Sequence, residues 1–237
     1  MKRDITEIPL NDKKSLVIAA DNSGGIGLKA HDIVQTPYEV VSYYGFRVAV
    51  MECMAAGGTP LAVVLHNFSG DDVWPSLMKG IERGLEELGL ADIPITGSTE
   101  SNFSLVQSAI GIIVMGKKDR LAHDTILSVD NMKLAVIGSP LVGNEVLERE
   151  HEVLSLSLFQ ELCQLQDVVL LPVGSKGILH ELRVLLNYEF PIHQINCDVD
   201  LDKSSGPATC CLVAYDSSLE QLLQNKCGHL FHQILVK

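Results

Sequence analysis

Ser15-Leu-Val-Ile-Ala-Ala-Asp21-Asn-Ser-Gly24-Gly25-Ile-Gly27-Leu-Lys29 is the stretch whose reading decides the fold. Six residues with the character of a buried strand run into a carboxylate, then three glycines, then a lysine. A strand held in a sheet fixes the point where the chain leaves it. Glycines after that point let the backbone approach a ligand and offer N–H groups to anionic oxygens. Asp21 at the strand mouth suits a magnesium ion bridged to phosphates, and Lys29 supplies a point charge.

Three other readings compete for this stretch. Gly25-Ile-Gly27-Leu-Lys-Ala30 matches the dinucleotide pattern G-x-G-x-x-A, but that motif must open a helix at once. Here the chain continues through the extended His31-Asp32-Ile-Val-Gln-Thr-Pro37. The nucleotide P-loop needs Gly-Lys-Ser/Thr in direct succession, and Leu28 separates Gly27 from Lys29. The third reading, a plain glycine-rich surface turn, stays open.

Outward from that stretch, the composition bounds the class. The 237 residues are 46% hydrophobic, with a mean hydropathy of +0.21, enough for one large domain or two small ones with a real core. A net charge of -12 argues against nucleic acid or an anionic membrane as partner, since both need a basic face. No apolar core follows Met1-Lys2-Arg3-Asp4, and no run approaches the ~18 apolar residues of a membrane span, so a cytoplasmic protein is expected. The six cysteines form no C-x-x-C pair and read as buried thiols of a reducing compartment.

Strand and helix signals alternate along both halves, which predicts an α/β (α+β) chain of two lobes. A short edge strand is expected at Ile5–Leu10. A long helix is expected at Tyr38–Gly57, burying Val41, Tyr44, Val48, Met51 and Ala55, with Gly57-Gly-Thr-Pro60 as its stop. Strand Pro60–Phe68 and helix Val73–Leu88, with Leu77, Ile81, Leu85 and Leu88 in register, come next. Strand Ile93–Thr96 opens into a polar loop, Gly97-Ser-Thr-Glu100-Ser-Asn102, before strand Leu105–Gly116. The polar stretch Lys117–Asn131 marks a boundary between domains 1–120 and 121–237. In the second half the pattern gives strands near 133–138, 168–173, 192–197, 209–215 and 229–236. Helices near 154–165, 178–187 and 217–224 lie between them.

Several residues carry possible chemistry. Glu52 lies beside Met51 on the long helix, where a carboxylate is either metal-bound or at the surface. Glu100 stands just past a strand end, as a third carboxylate with Asp21 and Glu52 around magnesium or as a turn acid. Asp198, Asp200 and Asp202 alternate without the glycine of a calcium loop and read as a solvated edge. Gly174–Gly177 resembles half a phosphate loop. His66 and His180 are lone histidines, and no G-x-S-x-G elbow is present.

The strand with Asp21 and Gly-Ile-Gly-Leu-Lys29, the helix Val50-Met-Glu52-Cys-Met-Ala-Ala-Gly57-Gly-Thr-Pro60-Leu, and Gly97-Ser-Thr-Glu100 together resemble the aminoimidazole ribonucleotide synthetase (PurM-like) superfamily. That superfamily also holds selenophosphate synthetase, thiamine-monophosphate kinase and the hydrogenase-maturation HypE proteins. Ala30-His-Asp32-Ile-Val-Gln, Arg47-Val-Ala-Val-Met-Glu52 and Thr96-Gly-Ser-Thr-Glu100-Ser-Asn102 are most similar to its α-ribazole kinase branch. Pro172-Val-Gly-Ser-Lys-Gly177 and Ser205-Gly-Pro-Ala-Thr209 add to the likeness in the second half.

The resemblance implies an ATP- and magnesium-dependent enzyme of two lobes, whose first-lobe sheet dimerises into a barrel-like core. It implies phosphate contacts at Gly24, Gly25, Gly27 and Lys29 and at Gly97, Ser98 and Thr99. Metal-site acids are implied at Asp21, Glu52 and Glu100. Asp21, Lys29 and Asp32 are the catalytic candidates, with Asp32 or His66 as general base. The chain departs from the synthetase in three ways: a longer spacing between acid and lysine, Glu52 in place of Asp on the helix, and Gly-Ser-Thr in place of a glycine pair. The expected reaction is transfer of the ATP γ-phosphoryl group to a nucleoside-like hydroxyl, foremost the 5'-hydroxyl of α-ribazole. Activation of an amide or selenide, or nucleotide binding without turnover, are the alternatives.

Overall fold

The computed structural model describes residues 5–120, 131–187 and 194–236. The chain divides into two compact units that meet in sequence at Ala122 and His123.

In the first unit the chain forms β1 (Ile5–Pro9), β2 (Lys14–Gly24), the two-residue β3 (Ile26–Gly27) and β4 (Val34–Gln35), and helix α1 (Tyr38–Ala55). It continues through β5 (Thr59–Asn67), α2 (Trp74–Glu87), β6 (Ile95–Thr99) and β7 (Ala109–Asp119). The main sheet has the order β1-β2-β7-β5-β6. Only the β5–β6 pair is parallel; the others are antiparallel, and β2 and β7 pair along their whole length. β3 and β4 form a separate parallel pair just beyond the end of β2.

Alternation along the strands sorts side chains between two faces. Val17, Ala19, Val63, Leu65, Ile112 and Val114 point to the helical face and are at most 1% exposed. α1 packs on β2 and β7, and α2 packs on α1. Because α1 lies between sheet and α2, its burial runs round much of the helix: Tyr43, Phe46, Arg47, Ala49 and Val50 are buried beside Val41 and Met51. Tyr44, Val48 and Ala55, expected on a single buried stripe, are only half-buried for this reason. Gly80 sets the spacing of the two helices, since a Cβ there would lie 2.1 Å from the Glu39 carbonyl oxygen and the Ser42 hydroxyl. At the other end of α1, the Cys53 thiol sits under Gly58 and Gly116, where added Cβ atoms would come within 2.8 and 2.4 Å of its sulfur.

The opposite sheet face is apolar and partly open. Its cross-strand rows are Ile18–Met115–Ala62, then Ala20–Ile113–Val64–Thr96, then Asn22–Gly111–His66–Ser98. Ile18, Met115, Ala62, Ile113 and Val64 are half-buried, and the last row turns polar and exposed.

The second unit contains β8 (Met132–Ile137), α3 (Glu145–Glu148), α4 (Leu156–Cys163), β9 (Val168–Pro172) and α5 (Gly177–Leu186). β10 (Ile195–Asn196), β11 (Cys211–Asp216), α6 (Glu220–Cys227) and β12 (Phe231–Val236) complete it. The sheet order is β10-β12-β8-β11-β9, antiparallel throughout. Leu134, Val136, Leu171, Ile178, Leu182 and Leu212 build its core. The expected strand 192–197 is reduced to β10, with 192–193 outside the described residues. No helix among the described residues is long and apolar enough to cross a membrane.

Candidate functional site

Strand β2 delivers Asp21 to the sheet as foreseen, paired with Ile112 on β7. It shares the parity of Val17 and Ala19, so its carboxylate points to the helical face. The helix makes room there: a Cβ at Gly45 would lie 3.8 Å from Asp21 Oδ2. Burial pushes this carboxyl up to about 6, against the small opposing pull of the Asn22 backbone amide. No basic side chain enters that balance, so a cation would find a carboxylate that burial has left costly to ionise.

Past Asp21 the glycines close a loop on itself. The Gly25 amide donates to the Ser108 carbonyl oxygen at 2.8 Å, and the Gly25 carbonyl accepts from the amides of Ile33 and Val34. Gly27 has φ +157°, and an added Cβ would strike Ser108 Oγ at 2.4 Å. These two glycines are therefore used for close packing and strand pairing, and the Gly25 amide is already engaged. Gly24 differs, with open space on its Cβ side.

Asp32 holds the loop shut. It is 8% exposed, and it accepts from the Ser108 amide and hydroxyl, both at 2.7 Å, and from the Lys29 amide at 2.8 Å. Burial would raise its pKa, but these hydrogen bonds and the Lys29 charge together hold it below the usual carboxylate range. With both oxygens engaged, the role this geometry gives Asp32 is that of a brace, and general-base chemistry would have to break the brace. Tyr38 OH completes the cluster at 2.8 Å from Ser108 Oγ. Lys29 Nζ donates to the Leu105 carbonyl oxygen at 2.9 Å, an exposed bond that a phosphate can replace.

The three acids proposed for metal do not converge. Glu52 lies seven residues beyond Gly45 on α1, about 10 Å along the helix axis at 1.5 Å per residue. Glu100 Oε1 accepts the amides of Asn102 (2.7 Å) and Phe103 (3.3 Å), the turn-acid arrangement. Among the described residues no group of three His, Cys, Asp or Glu side chains is placed to hold a metal.

Gly97, Ser98 and Thr99 belong to strand β6, not to a loop; β6 extends further than its sequence suggested because it pairs with β5 as far as Asn67–Thr99. A Cβ at Gly97 would lie 1.9 Å from the Leu65 carbonyl oxygen, which explains the glycine. His66 faces the open sheet side between Gly111 and Ser98, opposite to the side that carries Asp21. In the second unit, Asp200 caps the amides of Asp202 and Lys203, and Asp198 Oδ1 lies 2.9 Å from His232 Nδ1.

Ser108 is the hub that sequence reasoning missed, because it lies at the start of an apolar run read as strand. A cleft of about 350 Å³ opens beside it, lined by Gly24, Gly25, Ile33 and residues 105–109.

No protein-family model matches the sequence, and no curated protein does so. Solved structures do match. HypE from a HypE–HypF complex aligns over 99% of this chain and 88% of its own, with 12% identity and a TM-score of 0.62. The fold is PurM-like. PurL of T. maritima, solved with ADP, shares this PurM-like fold over all of the chain and 42% of its own length, at 13% identity and TM-score 0.59. A hydrogenase maturation protein HypE solved in complex with ATP covers 92% of the chain and 76% of its own, at 10% identity and TM-score 0.59. In this chain β2 packs against α1, with Asp21 near the strand's end facing Gly45.

Proposed function

We propose that this chain is an ATP- and magnesium-dependent phosphotransferase, acting on the 5'-hydroxyl of a nucleoside-like acceptor, with α-ribazole as the leading candidate. The observation that carries the reading is Asp21: a carboxylate at the end of a buried strand, desolvated, with a single backbone amide among its stabilising partners. PurL and HypE structures of the same fold were solved with ATP or ADP, which supports nucleotide binding by this chain.

Magnesium typically takes one or two protein carboxylates, with phosphates and water filling the rest, so Asp21 alone fits it. The ion would supply charge neutralisation for the phosphates. Lys29 would exchange the Leu105 carbonyl for a phosphate oxygen, and the Asp32–Ser108 brace would keep its backbone in place. The acceptor oxygen forms its bond to the γ-phosphorus as the bond to the ADP oxygen breaks, and the hydroxyl proton passes to a base. Such transfer depends on position and charge more than on covalent chemistry. The apolar open sheet face supports a homodimer, as contiguous apolar surface of this kind marks interaction sites. A cytoplasmic location is part of the same reading.

The test is mass-spectrometric detection of phosphorylated product from protein, ATP, magnesium and α-ribazole. A gain of one phosphoryl group that vanishes in Asp21→Asn is the expected result. ATP turnover surviving in both Asp21→Asn and Lys29→Ala would overturn it.

A further inference from the structure

Residues 101–107, all exposed and in neither helix nor strand, carry the chain from β6 to β7 as a strap. Both ends are anchored. The Glu100 carboxylate accepts from the amides of Asn102 and Phe103, and Asp32 grips Ser108. Between these anchors, two side-chain bonds among the described residues tie the strap to the loop after β2. Lys29 Nζ donates to the Leu105 carbonyl oxygen at 2.9 Å, and Gln107 Nε2 donates to the His31 carbonyl oxygen at 2.7 Å. Gln107 also crosses the glycine loop, since a Cβ at Gly25 would lie 3.4 Å from its Nε2. Gln107 Oε1 and the backbone groups of Val106 and Gln107 have no protein partner, so water serves them whether the strap is held or loose.

We propose that the strap is an autoinhibitory latch: strap and phosphate compete for the Lys29 ammonium, so attachment of the strap and binding of nucleotide oppose each other. The inference rests on the reading of Lys29 as a phosphate-binding residue. Of the two acceptors, a neutral exposed carbonyl is the weaker, and the flexible lysine stem lets the ammonium leave it for an anion. Once Lys29 has turned to phosphate, Gln107 alone holds the middle of the strap, across the same glycine loop that the phosphates approach. Reciprocity follows. Molecules held in the latched state are withdrawn from nucleotide, so the apparent affinity is scaled down to the fraction that is unlatched. An exposed hydrogen bond is modest in net strength, which makes the strap a severalfold brake and not a block.

The experiment reads strap and nucleotide separately in the full chain. Chymotrypsin cleavage after Phe103 and Leu105, which are 76% and 43% exposed, reports the strap, and calorimetric titration with ATP and magnesium reports affinity. In wild type, saturating ATP should speed that cleavage about threefold, whereas a ligand that only stabilised the fold would slow it. Gln107→Ala, an exposed change whose folding circular dichroism verifies, should be cleaved faster without ATP and bind ATP about threefold tighter. A merely structural Gln107 would leave affinity unchanged or weaken it. Lys29→Ala should be cleaved fast with or without ATP. ATP that binds wild type but slows strap cleavage or leaves it unmoved, or Gln107→Ala binding no tighter than wild type, would overturn the latch and leave the phosphotransferase reading standing. The expected pattern with no phosphorylated acceptor would uphold the latch and overturn that reading. ATP that binds neither wild type nor Gln107→Ala would overturn both.

Discussion

Asp32 grips Ser108 through two hydrogen bonds of 2.7 Å, one to its amide and one to its hydroxyl, across 76 positions of sequence. The pair fastens the loop after β2 to the residue that precedes β7. Removing the acid leaves buried donors on Ser108 and Lys29 unmet. Asp32→Ala should therefore cost about 2–4 kcal/mol in urea unfolding, and Ser108→Ala about 1–2 kcal/mol. Hydrogen exchange should accelerate at residues 25–36 before it does in the sheet.

The same carboxyl has a pH signature. Its pKa is lowered in the fold, so its contribution is present above the unfolded value near 4 and is lost as pH falls through the lowered folded value. Wild type should lose stability in that acid window, and Asp32→Asn should lose less there while starting from a less stable state at pH 7. Urea midpoints from pH 2 to 7 check the slope.

Asp21 works in the opposite sense. Its pKa is raised to about 6, so its favourable contribution exists below the unfolded value near 4 and is lost as pH rises through 6. Asp21→Asn should match wild type near pH 4 and exceed it by up to about 3 kcal/mol at pH 8, while abolishing turnover. Magnesium with ATP should raise the melting temperature of wild type at pH 8 and leave that of Asp21→Asn unchanged.

Gly80→Ala tests the helix layer. Helix propensity favours alanine by about 1 kcal/mol, but its Cβ would sit 2.1 Å from the Glu39 carbonyl oxygen on α1. Backbone cannot yield as a side chain does, so overpacking should win and the variant should lose about 2–3 kcal/mol by chemical denaturation.

Ile113→Asp tests the open sheet face. Ile113 lies in one row with Ala20 and Val64, so a charge there interrupts the apolar patch at its centre. If two copies share this face, sedimentation should show dimer for wild type and monomer for the variant, with stability of the monomer little changed because the site is only half-buried.

Much of this architecture was legible from pattern. Leu77, Ile81, Leu85 and Leu88 announced α2 by spacing alone, and the run from Ser15 to Asp21 announced β2 because one sheet dominates its environment. Two-sided burial hid the true face of α1, since a helix between layers has no single stripe. The site was less legible. Gly27 and Gly97 looked like ligand-facing glycines, yet each is glycine because another part of the chain arrives within 2.4 Å of its missing Cβ. Such close approaches depend on residues 70 or more positions away, or on a neighbouring strand, and leave no local mark. The Asp32–Ser108 bond is silent in sequence for the same reason.

Cys53 is sealed between α1 and the sheet. Its thiol lies under Gly58 and Gly116, fully covered, with its pKa pushed up to about 12 by burial. Neither a thiolate nor a path for an alkylating reagent is available while α1 stays on the sheet. The residue is thus a clock built into the first unit: the rate at which iodoacetamide marks Cys53, read by peptide mass, counts how often that helix and sheet part company.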